Sequence, residues 1–260
     1  MREAASQCDI AGRIAGTPAS AGGWREHWSA FQRVNRQRRA IREFDGSPIP
    51  DEDIEAILAE SLLAPSSGNS QPFVIHWLRN PAIKTAGAAA CRNQRAARSA
   101  STLLVFVAAS RFALETTSLF RAYVESTEDL SEESRAYHLR QLKDSRLFLR
   151  IAPSMLWSPL HTILTALFPS LSLVPLGPKA VRNWAARSAL FAAQTILLAA
   201  SARGLDCCPM EGFDARKLSR ILRLQRGDVI PIVVAVGRRQ KGARVEPRWR
   251  RPFERAVRIH

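Results

Sequence analysis

Apolar positions Trp24, Trp28, Phe31 and Val34 recur every three or four residues and give way to a polar, arginine-rich stretch. That spacing predicts an amphipathic helix over residues 24–39, with its basic end leading into Arg42. A second helix is expected from Pro50-Asp51, where acidic residues fill the first turn and Ile54, Ile57, Leu58, Ser61 and Leu62 share a face; it stops before Pro65. Residues 73–78 form a short β-rich run. Residues 102–108 are continuously apolar, as expected of a strand covered on both faces. Residues 81–101 between them read as helical, and residues 127–150, charged at helical spacing, read as an exposed excursion. Residues 179–203 predict a long, mostly apolar helix through the core, stopped by Gly204. A late strand follows at 229–236, with Pro231 as an irregularity. Strands interleaved with helices, without an internal repeat, argue for one α/β or α+β domain over residues 24–260, with an excursion at about 111–180.

One interval breaks the alternation. Between Arg150 and Lys179 there is no Asp, Glu, Lys or Arg. Its length would permit a membrane span, but Pro153, Pro159, Pro169, Pro175 and Pro178 cut it into short pieces, and His161 and several serines interrupt it. Residues 151–178 therefore read as a buried or interfacial insertion.

Composition adds three points. A chain of 260 residues that is 46% hydrophobic has enough apolar surface for one large core or two small ones. A formal net charge of +15 attracts phosphates, anionic lipid or nucleic acid, although most such charge belongs on solvated faces. Cys8, Cys91, Cys207 and Cys208 have neither zinc spacing nor a disulfide framework, which fits a reducing cytoplasm. Residues 1–23 lack a continuous apolar core of the kind a secretory signal needs and are expected to be poorly ordered.

Candidate chemistry lies in four places. Arg38, Arg39 and Arg42 crowd one helix exit, and Arg248, Arg250 and Arg251 crowd a second place near the C-terminus. Guanidinium groups bind phosphate through paired, charge-assisted hydrogen bonds, so the two clusters would make a phosphate site if they converged. The loop over residues 64–73 is rich in small hydroxyl and amide side chains and is braced by Pro65 and Pro72. The segment 204–214, with the Cys207-Cys208 pair and Pro209-Met210-Glu211-Gly212, is the fourth. His27, His76, His138, His161 and His260 are scattered, and neither a nucleophile–base arrangement nor a metal cluster stands out.

Taken in order, Arg38-Arg39-Ala40-Ile41-Arg42-Glu43-Phe44, the 64–73 loop, the 204–214 segment, the late strand and Arg248-Trp249-Arg250-Arg251-Pro252 resemble the nitroreductase family of FMN-dependent NAD(P)H oxidoreductases. The resemblance covers roughly residues 28–110 and 180–255. It implies a three-layer α/β/α fold around a central mixed sheet, in a cytoplasmic homodimer with FMN at the interface. It also implies ping-pong hydride transfer from NADH or NADPH through flavin N5 to an electron-poor small molecule such as a nitroaromatic or a quinone. No catalytic side chain is implied, because the flavin carries the chemistry.

Carried over by position, Arg38, Arg39, Ala40 and Arg42 would follow the flavin's phosphate, ribityl chain and pyrimidine edge. Pro209, Met210, Glu211 and Gly212 would lie along the ring. Arg248 and Arg250 would bind phosphate, and Asn93 is a looser match for a ribityl or ring contact. Pro65, Ser66, Ser67 and Asn69 would lie beside the flavin of the partner subunit, which the residues 253–260 would also approach. Two positions depart from the family's pattern: Ala96, with Arg95 beside it, stands where a lysine is frequent, and Ser188 stands where some relatives carry glutamine. The apolar insertion would cover the flavin mouth, touch a bilayer or be buried between subunits. Two other readings compete: a basic nucleic-acid-binding module, which lacks a recognised motif so that no nucleic acid is expected, and a family member that keeps the fold without activity.

Overall fold

A computed structural model describes residues 23–168 and 175–260; the expectation of disorder over 1–23 thus falls almost wholly outside it. The chain runs through α1 (Trp24–Gln37), α2 (Asp51–Leu62), β1 (Phe73–Trp77), α3 (Pro81–Ala90), α4 (Arg95–Ser99), β2 (Thr102–Ala108) and α5 (Ser110–Ser126). It continues through α6 (Glu132–Ile151), α7 (Trp157–Leu167), α8 (Pro178–Ala202), β3 (Asp206–Met210), α9 (Ala215–Ile221), β4 (Val229–Gly237) and α10 (Phe253–Ala256).

The four strands lie in the order β1-β2-β4-β3. Because side chains alternate across a strand, the uninterrupted apolar run of β2 feeds two cores. Leu103, Val105 and Val107 pack with α3, α4 and α9 on one face, whereas Leu104, Phe106 and Ala108 pack with α2 and α8 on the other. These are the three layers. Helix α8 is the one helix among the described residues long and apolar enough to cross a membrane. It lies instead against β2 and β4, with small residues Ala185, Ala189, Ala192 and Ala193 buried so that helix and sheet approach closely.

The expected mixed sheet is antiparallel in each of its three strand pairs. Its parallel element, among the described residues, is a single bridge between Ala40 and Cys207. The reason is local. Left-handed Arg92 and Asn93 stop α3, and α4 turns back, so the chain re-enters the sheet where it left it: Leu78 N–H donates to Leu103 O at 2.9 Å. A register shift between Phe106 and Ala108 faces the stretch of β4 holding Pro231, which is the irregularity the proline announced.

Within one chain the insertion is buried at Ala152 and Gly177, where its two ends meet. Helix α7 has no buried residue. Trp157 anchors it by donating Nε1–H to Ile151 O at 3.1 Å, and Gly177 N–H ties the start of α8 to Ala152 O at 2.7 Å. The part of the insertion at 169–174 lies outside the described residues.

At the end of β4, Gly237 passes under the ring of buried Phe44. A Cβ at Gly237 would stand 2.6 Å from Phe44 Cδ1 and 2.9 Å from Cγ. Gly237→Ala is expected to cost about 1–3 kcal/mol by overpacking. It should lower the urea midpoint without changing the m value; an unchanged midpoint would show that the Phe44 ring moves aside freely.

Candidate active site

The two arginine clusters meet beside edge strand β3. After α1 the chain runs along β3, where Ile41 N–H donates to Cys207 O at 3.0 Å and the Ile41 side chain is buried. This pins the segment and leaves Arg38 and Arg39 half-exposed and Arg42 exposed. The C-terminal arm returns to the same place. Arg248 donates from Nη2 to the carbonyls of Arg36 at 2.8 Å and Arg38 at 2.5 Å, and from Nη1 to Asn35 O at 3.3 Å. The carbonyls at the end of α1 lack helical donors and carry the negative end of its dipole, so a guanidinium satisfies both needs. Arg39 donates to Glu246 O and fastens the arm a second time.

Arg38, Arg39, Arg248 and Arg250 therefore crowd together. Desolvation first, and then the charges of Arg250, Arg39 and Arg38, hold the Arg248 pKa below its ordinary value. Among the described residues none of these four, nor Arg42, forms a salt bridge with a carboxylate. A group of like charges without acidic partners is a ready receptor for a dianion. The Nη donors of Arg248 are engaged by carbonyls, so it acts as a tether as well as a charge.

Further along β3, Pro209 is tolerated because this is an edge strand. The charge of Arg42 acts on the Cys208 thiol, which places Arg42 beside this strand. Burial pushes Cys208 and Cys207 up and Cys91 to about 11, so these thiols stay protonated and inert at neutral pH. Beyond Met210, Glu211 and Gly212 are exposed. Gln94, which the sequence reading passed over, donates Nε2–H to Gly212 O at 2.7 Å. A Cβ on Gly212 would meet that nitrogen at 3.2 Å, so the glycine permits the approach. Adjacent Asn93 is exposed, with left-handed backbone at φ 51°. Arg95 pairs with Glu43 at 2.5 Å, and Ala96 is buried. The signal for Gln94 was only its place next to Asn93.

The 64–73 loop lies elsewhere. It precedes β1, at the opposite edge of the sheet from β3, three strand spacings or roughly 14 Å away. The loop is braced by its own bonds: Ser66 Oγ accepts from Gln71 N–H at 3.0 Å, and Asn69 Oδ1 accepts from Gln71 Nε2 at 3.1 Å. Gly68, Asn69 and Gln71 all have positive φ, an unusual concentration of left-handed backbone. Pro65 and Ser67 are exposed. Residues 67–70 line a cavity of about 1060 Å³, walled by aromatic and aliphatic groups of α5, α6 and α8 that include Phe120, Phe148, Trp184 and Phe191. Ser188 lines the cavity too, whereas none of the five arginines does.

This arrangement has relatives. The chain is 27% identical over 221 residues to a protein of Thermus thermophilus named NADH dehydrogenase, covering 85% of this chain and 91% of that one. Its fold matches Bacillus subtilis ydfN with a TM-score of 0.71 at 21% identity, over 90% of this chain and 100% of that one. A protein of Exiguobacterium sibiricum solved in complex with FMN matches with a TM-score of 0.68 at 20% identity, over 88% and 97% of the two chains. The profile of the nitroreductase family spans residues 36–238, from the first arginine cluster to the end of the late strand. With that match over most of its length, and the three-layer fold beneath it, the chain belongs to the nitroreductase family.

Proposed function

We propose that this protein is an FMN-dependent oxidoreductase, working as a homodimer in the cytoplasm, that takes reducing equivalents from NADH or NADPH and passes them to a small electron-poor acceptor. The observation that carries this reading is the convergence of Arg38, Arg39, Arg248 and Arg250 at one end of a strip that continues past Arg42 to Gly212 and Asn93. A phosphate joined through a polar chain to a planar ring matches that order of groups. Guanidiniums meet the dianion, Arg42 meets an electron-rich ring edge, and exposed Glu211 and Gly212, just past β3, offer backbone and a residue without a side chain. The FMN complex of the Exiguobacterium protein and the name of the Thermus relative support the cofactor and the reductant.

Bound FMN supplies hydride chemistry in two half-reactions. The chain's own groups bind and orient. Arg38, Arg39 and Arg250 neutralise phosphate while Arg248 holds the arm in place. Ala40 leaves room for the connecting chain, and Arg42 favours a ring edge bearing negative charge. Pro65, Ser66, Ser67 and Asn69 sit a sheet's width from β3, so they reach a flavin there only from a second copy of the chain. The apolar walls of the cavity beside them suit a planar acceptor such as a nitroaromatic or a quinone.

The visible spectrum of purified protein, before and after denaturation and with the released chromophore identified by mass, tests the reading directly. FMN near one per chain is expected. Absence of flavin together with no uptake of added FMN would sink it and leave a scaffold whose basic surface serves another ligand. Arg42→Ala is expected to keep FMN but move its midpoint potential to more negative values, measured by reductive titration. An unchanged potential and reduction rate would remove the role given to Arg42.

A further inference from the structure

Helix α7 presents an apolar stripe that nothing among the described residues covers. Leu156, just before it, and Leu160, Ile163 and Leu167 are 85%, 42%, 59% and 67% exposed. At 100° per residue these four positions fall within roughly 60° of one another. The opposite face, with Trp157, His161, Leu164 and Thr165, is half-buried. An exposed ridge of four aliphatic side chains on one short helix calls for a partner.

The charge around the ridge says which partner. From Asp144 to Asp206 the chain contains no acidic residue, while it carries Arg146, Arg150, Lys179, Arg182, Arg187 and Arg203. The bond from Gly177 N–H to Ala152 O and the packing of Ser158 against Gly177 bring the end of α6, the start of α7 and the start of α8 to one corner. Arg150, Lys179 and Arg182, all exposed, are set around that corner. An apolar ridge within a stretch of chain whose charged residues are all cations is complementary to a surface with an apolar interior and an anionic rim.

We propose that this corner docks on an anionic lipid bilayer, with the Leu156–Leu167 ridge entering the headgroup boundary and Arg150, Lys179 and Arg182 meeting lipid phosphates. Helix α7 has 11 residues. At 1.5 Å per residue it spans roughly 16 Å, about half the hydrocarbon thickness, so it lies in the interface and does not cross it. Phe148 and Leu149, which wall the large cavity, belong to the same excursion. Docking thereby brings an apolar cavity close to a phase in which apolar solutes concentrate. The proposal does not depend on the flavin reading.

The test is flotation of the full-length protein with vesicles of phosphatidylcholine, with and without phosphatidylglycerol. Binding to phosphatidylglycerol vesicles should exceed binding to phosphatidylcholine alone by roughly tenfold or more, and weaken with added salt. Leu160→Asp with Ile163→Asp, and separately Arg150→Glu with Lys179→Glu, should each reduce it by about tenfold or more. Four exposed positions are altered, and flavin content measured on the same preparations keeps a failure here separate from a failure of the oxidoreductase reading. No binding to anionic vesicles overturns the proposal, as does binding that both variants retain, which would assign it to the basic body at large. A shift of the Leu160→Asp/Ile163→Asp variant from dimer to monomer by light scattering would make the ridge a contact between copies of the chain and would also overturn it.

Discussion

Arg38→Ala combined with Arg250→Ala is expected to yield folded protein that has lost most of its FMN. The Arg38 guanidinium has no hydrogen-bond partner among the described residues, and that of Arg250 reaches only the carbonyl of Trp249, so both are free to serve a ligand. Hydrogen bonds to a charged group are worth about 1.5–3 kcal/mol each. At 1.4 kcal/mol per tenfold, removing two should weaken FMN binding by about 10²- to 10⁴-fold. Riboflavin, which lacks the phosphate, should lose far less, and comparing the two ligands by fluorescence quenching isolates the phosphate term. Equal losses for both would show that these arginines do not read phosphate. Stability should hold or rise, because the substitutions relieve repulsion among crowded cations. Arg248→Lys belongs to a different class: it keeps the charge but cannot reach three carbonyls at once, so the arm should loosen and FMN affinity should fall by an intermediate amount.

Arg111→Ala is expected to cause the largest loss of stability among single substitutions outside the site. Arg111, in the first turn of α5, grips Asp228 with two bonds, Nε to Oδ1 at 2.9 Å and Nη2 to Oδ2 at 2.7 Å. The Asp228 side chain is only 2% exposed, and it also accepts from Gln225 N–H at 3.0 Å, closing the turn before β4. The guanidinium lies 3.9 Å from the centre of the Phe112 ring, which adds a cation–π contact. Breaking a buried pair from one side typically costs about 3–5 kcal/mol, because the remaining charge is stranded. Arg111 is itself partly exposed, so about 2–3 kcal/mol is expected here. The reading is a lower urea midpoint at pH 7. Asp228→Asn in the Arg111→Ala background should recover part of the loss, since a neutral amide is cheaper to leave buried than a carboxylate. No recovery would mean that lost packing on Phe112, and not the stranded charge, dominates.

Periodicity placed α1, α2, α6 and α8 and strands β1, β2 and β4 within a few residues of where they stand. It did so because each of these segments repeats an apolar position often enough to mark a face. Strand β3 escaped. Asp-Cys-Cys-Pro-Met has neither β-branched residues nor alternation, and it is extended because it pairs with β4 and lies over both cores. The single helix expected over 81–101 is two, broken where Arg92 and Asn93 take left-handed backbone, a choice fixed by the chain's return to β2. Helix α1 was legible as amphipathic, yet Trp24, Trp28 and Phe31 remain exposed in this chain. A pattern states that a face wants cover and leaves the covering surface open.

The candidate site divides the same way. From the sequence alone came the residue types: guanidiniums in two clusters, a braced polar loop, a segment ending in Gly212, and a resemblance to a family on these pieces taken in order. The tertiary structure alone decided that Arg38 and Arg248, 210 positions apart, touch through a carbonyl. It also decided that Gln94 holds Gly212, and that the 64–73 loop stands a sheet's width from the arginines it accompanies in sequence. The physical reason is range. Backbone preference and hydrophobic period act over a few residues and are written locally, whereas electrostatic and hydrogen-bond energies depend on distance through space, which only the closed sheet and its packed helices set.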